Sequence, residues 1–371
     1  MAKDKILILG AGNAQIDAIN YCKDHGLEVH GCSYTNNDTG IPFLDKFIQI
    51  DIKDVEAIKK YVLDNEIKYV YSVGSDMAMP TVMKVCEELG MKHFVSYETA
   101  MACKSKSLMR KTLGSDFVGN IPFIECSTLE EALMFEDFPA MMKPTDSQGQ
   151  RGCYRVESKK DIQEHFENSL GYSVNKSVII EKFIEGPEIS VNAFMMKGKM
   201  AFALVSDRIV FENLPGGIIK EHLLPSTFTD DTSKEETLQM VNRACEKLNI
   251  TDGPVYFQIK VENNHPFIVE LTPRLDGCHM WNLINHYCKV NLLDITFTYL
   301  FNGKVEIPEA QPVDEKMKLA FMCAKPGTVF NRDEYVIGEN EYITWYYKNG
   351  DIVKKMNGFM EKCGYQIIRY N

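Results

Sequence analysis

The stretch from Gly253 to Gly277, GPVYFQIKVENNHPFIVELTPRLDG, can fold in few ways. Two apolar runs flank a polar turn at Glu262-Asn263-Asn264-His265, which predicts a β-hairpin. The strands are rich in Val, Ile, Phe, Tyr and Leu, so the hairpin is expected to be buried and its polar side chains to need partners. A turn centred there sets Gln258 of the first strand opposite Glu270 of the second. Side chains alternate along a strand, so Glu270, Thr272 and Arg274 are expected on one face. A carboxylate, an amide oxygen and a guanidinium at one strand end suit a metal–phosphate site. Oxygen ligands hold Mg²⁺, and a planar fork holds phosphate. The alternative is a surface hairpin with a solvated charge row.

A second stretch, Met141 to Gly152, reads MMKPTDSQGQRG and runs into an apparent strand, Cys153-Tyr154-Arg155-Val156. Glycines let backbone N–H groups turn toward an anion, and such loops can cover phosphates. Lys143, on a short strand, would supply a point charge. The G-x-x-x-x-G-K-[ST] order of a P-loop is missing. Taken alone, this stretch is equally well an ordinary turn.

Together these segments resemble the ATP-grasp superfamily, and the likeness covers most of the chain. The hairpin is most similar to that of carbamoyl phosphate synthetase, whose Gln and Glu are spaced like Gln258 and Glu270. Biotin carboxylase and D-alanine–D-alanine ligase carry an acidic residue where this chain has Gln258. The resemblance implies that Gln258, Glu270 and Thr272 stand at the metal positions. Lys106, in Ser105-Lys106-Ser107, and Lys143 match the two ATP lysines, with Ser105 where an Asp is usual. Gln148 and Gly149 match the phosphate flap. Val178 to Glu188, VIIEKFIEGPE, resembles the adenine-binding linker. Glu181 is thereby expected on the adenine amino group, backbone groups of Phe183 and Ile184 on the ring, and Glu188 on the ribose. One departure is Thr272, where the family usually has Asn. A hydroxyl replaces a carbonyl oxygen, which puts the second metal and even activity in question.

The net charge of −11 argues against nucleic-acid or anionic-membrane partners. Eleven scattered cysteines without a C-x-x-C pair indicate reduced thiols rather than a zinc site or a disulfide framework. The N-terminus enters a strand directly, and no apolar run reaches membrane-spanning length. A cytoplasmic location is the expectation.

The expected fold is α/β and α+β. It comprises an N-terminal doubly wound parallel sheet, a two-lobed ATP-grasp domain and a small, mostly β C-terminal tail. The expected divisions are a Rossmann-like domain over 1–95, a small lobe with the phosphate flap over 96–176, a large catalytic lobe over 177–305, and a β-rich region over 306–371. Strand and helix alternate through the first ninety-odd residues, from Ile6-Leu7-Ile8-Leu9 to a helix over Met79–Leu89. Gly10-Ala11-Gly12-Asn13-Ala14-Gln15 suggests a dinucleotide turn. Gln15 replaces its third glycine, however, and no acidic residue follows Val29 to Ser33, so NAD is not expected. Gly74-Ser75-Asp76 lies at a sheet's C-terminal edge, where ligands bind. It reads equally well as a helix-entry turn.

The run from Arg208 to Pro225 is expected to be a lid loop with Arg208 aimed at a substrate carboxylate. Within it His222 reads as a surface histidine. His279 is the better candidate for touching substrate.

The resemblance implies an ATP-dependent ligase. It would activate a carboxylate as an acyl phosphate and join it to an amine, using ATP and Mg²⁺, with Mn²⁺ an acceptable substitute. Lys143, Arg208 and Arg274 would act on the reacting groups. Small-molecule carboxylates and amines are the expected partners, and a homodimer is compatible with the sequence. Two alternatives stay open: a bicarbonate-activating enzyme of the carbamoyl-phosphate or carboxylase type, and a non-catalytic ATP-binding relative.

Overall fold

The computed structural model describes residues 3–145, 151–214, 217–355 and 358–370. Its N-terminal sheet is entirely parallel, in the order β3-β2-β1-β4. These strands are β1 (Lys5–Leu9), β2 (Glu28–Ser33), β3 (Lys46–Gln49) and β4 (Tyr69–Tyr71). A strand covered on both faces must be apolar throughout, and Ile6, Leu7, Ile8 and Leu9 are fully buried. Helices α1 (Asn13–Asp24), α2 (Val55–Asp64) and α3 (Met79–Glu88) alternate with the strands, as the sequence predicts. Strand β3 escapes sequence reading because it is a half-exposed edge strand with no strong apolar pattern.

The turn after β1 is filled by its own side chain. Gln15 is buried; its amide oxygen accepts from the Gly12 N–H at 2.8 Å, and its amide nitrogen donates to the Val73 carbonyl. A backbone N–H that would meet a pyrophosphate is therefore already satisfied. We expect NAD and NADP at millimolar concentration to leave the melting temperature unchanged and Mg-ATP to raise it, since a ligand selective for the native state stabilises it by mass action. A thermal-shift series checks this; a shift with NAD and none with ATP would reverse the assignment.

A second, four-stranded sheet has the order β5-β8-β6-β7, made of β5 (Phe123–Cys126), β6 (Ala140–Pro144), β7 (Tyr154–Val156) and β8 (Val178–Lys182). It has its own small core around Phe135, Met142, Phe166 and Ile180. Helices α4 (Tyr97–Lys104) and α5 (Lys106–Leu113) precede it.

The third sheet has eight strands in the order β13-β12-β9-β10-β11-β14-β16-β15. They are β9 (Glu188–Met196), β10 (Lys199–Val210), β11 (Ile219–Leu224), β12 (Gly253–Glu262), β13 (His265–Thr272), β14 (Lys316–Ala324), β15 (Asn340–Trp345) and β16 (Glu361–Tyr370). The C-terminal strands extend this sheet through the β11–β14 pairing.

The expected lid between Arg208 and Pro225 is instead mostly a hairpin. β10 and β11 pair antiparallel, with Arg208 opposite His222. The β-branched run Ile209-Val210 and Ile218-Ile219 favours strand. His222 is correspondingly fully buried rather than on the surface.

The N-terminal sheet meets the large one where the chain leaves β13. The Gly74 N–H donates to the Leu275 carbonyl at 3.2 Å. Gly74 has φ +68°, and a Cβ on it would lie 2.7 Å from the Gly277 Cα, so glycine alone allows this approach. No helix among the described residues is long and apolar enough to cross a membrane.

Candidate active site

The β12–β13 register sets Gln258 directly opposite Glu270, followed by a register shift at Ile259. The Gln258 amide nitrogen donates to Glu188 Oε2 at 2.9 Å, which leaves its amide oxygen as the group to offer a cation. Glu188 also pairs with Arg208, across the adjacent strands β9 and β10. Arg208 is thus nine-tenths buried in the sheet and committed to a carboxylate of this chain.

Glu270 Oε2 lies 3.5 Å from Lys106 Nζ. Lys106 opens α5, and Ser105, in place of the usual acid, caps that helix by accepting from the Leu108 N–H at 3.3 Å. The substitution keeps the cap, because a hydroxyl oxygen serves as well as a carboxylate there. Lys143, on β6, pairs with Glu181 on β8.

Arg110 was not singled out by sequence reading. It lies one helical turn beyond Lys106, and that i, i+4 spacing was its available signal. It is 1 % exposed. Its Nε donates to Glu181 Oε1 at 2.8 Å, and its Nη1 donates to the Ile268 carbonyl at 2.6 Å and to Asn120 Oδ1 at 3.2 Å. Burial opposes the charge of Glu181, but Lys143, Arg110 and Lys106 outweigh it and hold its carboxyl at about 2. Burial lowers the Lys143 pKa; its like-charged neighbours Lys106 and Arg110 add to this, against the pull of Glu181. Both oxygens of the side chain expected on the adenine amino group are therefore engaged by cations.

In the linker, the Phe183 N–H donates to the Pro139 carbonyl at 2.8 Å, which leaves its carbonyl for the edge of a base. The Arg155 guanidinium covers the Phe183 ring at 4.4 Å, and Ile184 is buried. Gln148 and Gly149 lie outside the described residues.

Arg274, beyond the end of β13, is buried against Asp76, whose Oδ1 accepts from its Nε at 2.7 Å and lies 2.6 Å from its Nη2. The side chains of Thr272 and Glu270 lie beside Asp76. Burial works against its charge, yet Arg274 and the Thr272 hydroxyl hold its carboxyl below the usual range. Glu270, Thr272 and Arg274 thus converge as the hairpin alternation predicts, on a carboxylate from the N-terminal sheet. His279 is held otherwise than expected: its ring nitrogens contact Asp17 and the Tyr346 hydroxyl, each at 2.6 Å. That makes it a bridge between α1 and the C-terminal strands.

One cavity of roughly 720 Å³ is lined by Asp76, Lys106, Lys143, Thr145, Ile179 and Glu270 among others. Its size suits a nucleotide-scale ligand. The expected adenine and ribose contacts Glu181, Phe183, Ile184 and Glu188, and the expected metal ligand Gln258, are not among its lining residues.

Residues 136–281 match the ATP-grasp domain family, and the chain carries an ATP-grasp domain. Human carnosine synthase 1 is 23% identical over 327 residues, 79% of this chain and 39% of that protein. The large chain of carbamoyl phosphate synthase from Pseudothermotoga lettingae is 24% identical over 290 residues, 73% of this chain and 26% of that one. The chain therefore spans well under half the length of these relatives. The crystal structure of an L-amino acid ligase from Bacillus licheniformis superposes with a TM-score of 0.79 at 15% identity, over 100% of this chain and 94% of that one. That likeness establishes a shared fold over the whole chain.

Proposed function

We propose that this ATP-grasp chain is an ATP-dependent ligase that activates a carboxylate as an acyl phosphate and joins it to an amine, releasing ADP and phosphate. The observation that carries the reading is the pair of salt bridges on the cavity rim, Lys106–Glu270 and Lys143–Glu181. Each lysine is neutralised by a carboxylate expected to serve nucleotide or metal. When Glu270 holds a cation, Lys106 is freed toward phosphate. When Glu181 accepts from a base, Lys143 is freed likewise.

The donor set fits Mg²⁺, with Mn²⁺ as a substitute. Glu270, the Gln258 amide oxygen and Asp76 are all hard oxygen donors. Asp76 hydrogen-bonds with the Thr272 hydroxyl, so a carboxylate stands where the family's Asn would supply an oxygen. This favours a working enzyme over a decayed nucleotide-binding relative. Bound Mg²⁺ would neutralise phosphate charge during phosphoryl transfer. Arg274, fixed by Asp76, presents a positioned cation beside that edge for an acyl phosphate or the acid before it. No side chain need form a covalent bond.

The L-amino acid ligase, by its name, acts on amino acids, which supports carboxylate and amine substrates of that kind. The carbamoyl phosphate synthase match keeps bicarbonate as a second reading.

An ADP-release screen over carboxylate–amine pairs, with a bicarbonate arm, tests the proposal. The expected result is release that needs both an organic acid and an amine. Release with bicarbonate alone, or none above background for any pair, sinks it.

A further inference from the structure

Three buried side chains lie together at the large sheet, none of them among the side chains assigned above to nucleotide or Mg²⁺. His222 is on β11, while Asp276 and Cys278 are on the connection from β13 to the helix Met280–Cys288. One ligand atom from each, a ring nitrogen, a carboxylate oxygen and a sulfur, lies within 4.8 Å of the others. Their exposures are 0%, 4% and 9%.

On His222 and Asp276, polar atoms are left over after the surrounding hydrogen bonds are counted. Among the described residues, neither ring nitrogen of His222 has a well-formed hydrogen bond, and Asp276 Oδ2 has none. Asp276 Oδ1 is fixed by the backbone N–H groups of Cys278 and Met280, at 3.3 and 3.2 Å. That leaves Oδ2 as the only free oxygen of the side chain. Buried polar groups are normally paired, so three orphan atoms in one cluster call for a partner.

We propose that His222, Asp276 and Cys278 form a transition-metal site of the zinc class. The donor set decides the class. Imidazole and thiolate suit Zn²⁺ and its spectroscopic stand-in Co²⁺, whereas Mg²⁺ takes oxygen ligands. Around tetrahedral zinc, bonds of about 2.0–2.3 Å set ligand atoms about 3.3–3.8 Å apart, so a contraction of about 1 Å closes the cluster. Binding releases the Cys278 thiol proton.

Three cations face the site. Lys362 Nζ is 3.4 Å from Cys278 Sγ, where it would donate to the thiolate; Arg208 is already paired with Glu188, and Arg274, which faces Asp276, with Asp76. The Asp207 backbone lies by the His222 ring, and a carbonyl behind a ligating imidazole fixes its tautomer. Three protein ligands leave a fourth position open. A metal here would tie the connection that carries Arg274 to the middle of the large sheet.

The test uses the full-length protein, stripped with a chelator and loaded with Co²⁺. We expect one Co²⁺ per chain with a thiolate-to-cobalt charge-transfer band, and displacement of Co²⁺ by Zn²⁺. Cys278→Ser should abolish the band, and His222→Ala should weaken Co²⁺ binding at least about tenfold, as loss of one ligand implies. Glu270→Ala should leave band and stoichiometry unchanged, so this readout is independent of ATP turnover. A folded wild-type protein that binds no equivalent of Co²⁺ or Zn²⁺ overturns the proposal. So does a band that survives in Cys278→Ser or disappears in folded Glu270→Ala. The wild-type measurement decides the matter even where a variant fails to fold.

Discussion

Replacing Glu270 by alanine is expected to lower ATP turnover by on the order of 10³-fold or more while nucleotide still binds at high concentration. Glu270 lies opposite Gln258, beside Asp76 and 3.5 Å from Lys106. On the proposed function its loss removes a metal ligand. It leaves the expected adenine contacts along Glu181 to Ile184 untouched, and it leaves Lys106 without its counter-charge, which favours phosphate. Binding and turnover should therefore separate. Steady-state kinetics and calorimetric titration of Mg-ATP on the same folded variant check this. Turnover within tenfold of wild type removes Glu270 from the site, and equal loss of binding and turnover points to a collapsed pocket instead.

Arg110→Ala should be the most destabilising single change near the site, by about 3–5 kcal/mol, because it strands one partner of a buried ion pair. The Glu181 carboxylate is 6% exposed and would keep Lys143 as its one direct partner, with Lys106 farther off, and the Ile268 carbonyl and Asn120 would lose a donor. The acid limb carries a second signature. The folded Glu181 pKa is about 2 against an ordinary 4.5. A depressed carboxyl contributes stability that is fully present above pH 4.5 and fades as pH falls toward 2. Without Arg110 the folded value rises, that contribution shrinks, and acid unfolding should begin at higher pH. Urea unfolding at neutral pH and an acid titration measure both effects. A loss below about 1 kcal/mol with an unmoved acid limb would show that Arg110 is dispensable.

Much of the site was legible because its signals are local. The turn at Glu262 to His265 and the apolar strands on either side specify the pairing of Gln258 with Glu270. Period-two alternation puts Glu270, Thr272 and Arg274 on one side. Lys106 and Lys143 carry short flanking patterns of their own. The failures are equally physical. Arg208 and His222 looked like parts of a glycine-containing loop, yet strand pairing between β10 and β11 carries both into the sheet. His279 looked available, yet Asp17 and Tyr346 hold both its nitrogens.

By itself the sequence determined the parallel N-terminal layer and the β12–β13 hairpin with its register. These follow from periodicity, turn chemistry and neighbours within a few residues. Only the tertiary structure decided that Asp76 meets Arg274, that Arg110 sits behind Glu181, and that His222 comes beside Asp276 and Cys278. Asp76 and Arg274 are 198 residues apart in the chain. Such partners leave no periodic trace, because what joins them is the docking of separately formed sheets and the need of each buried charge for a counter-charge.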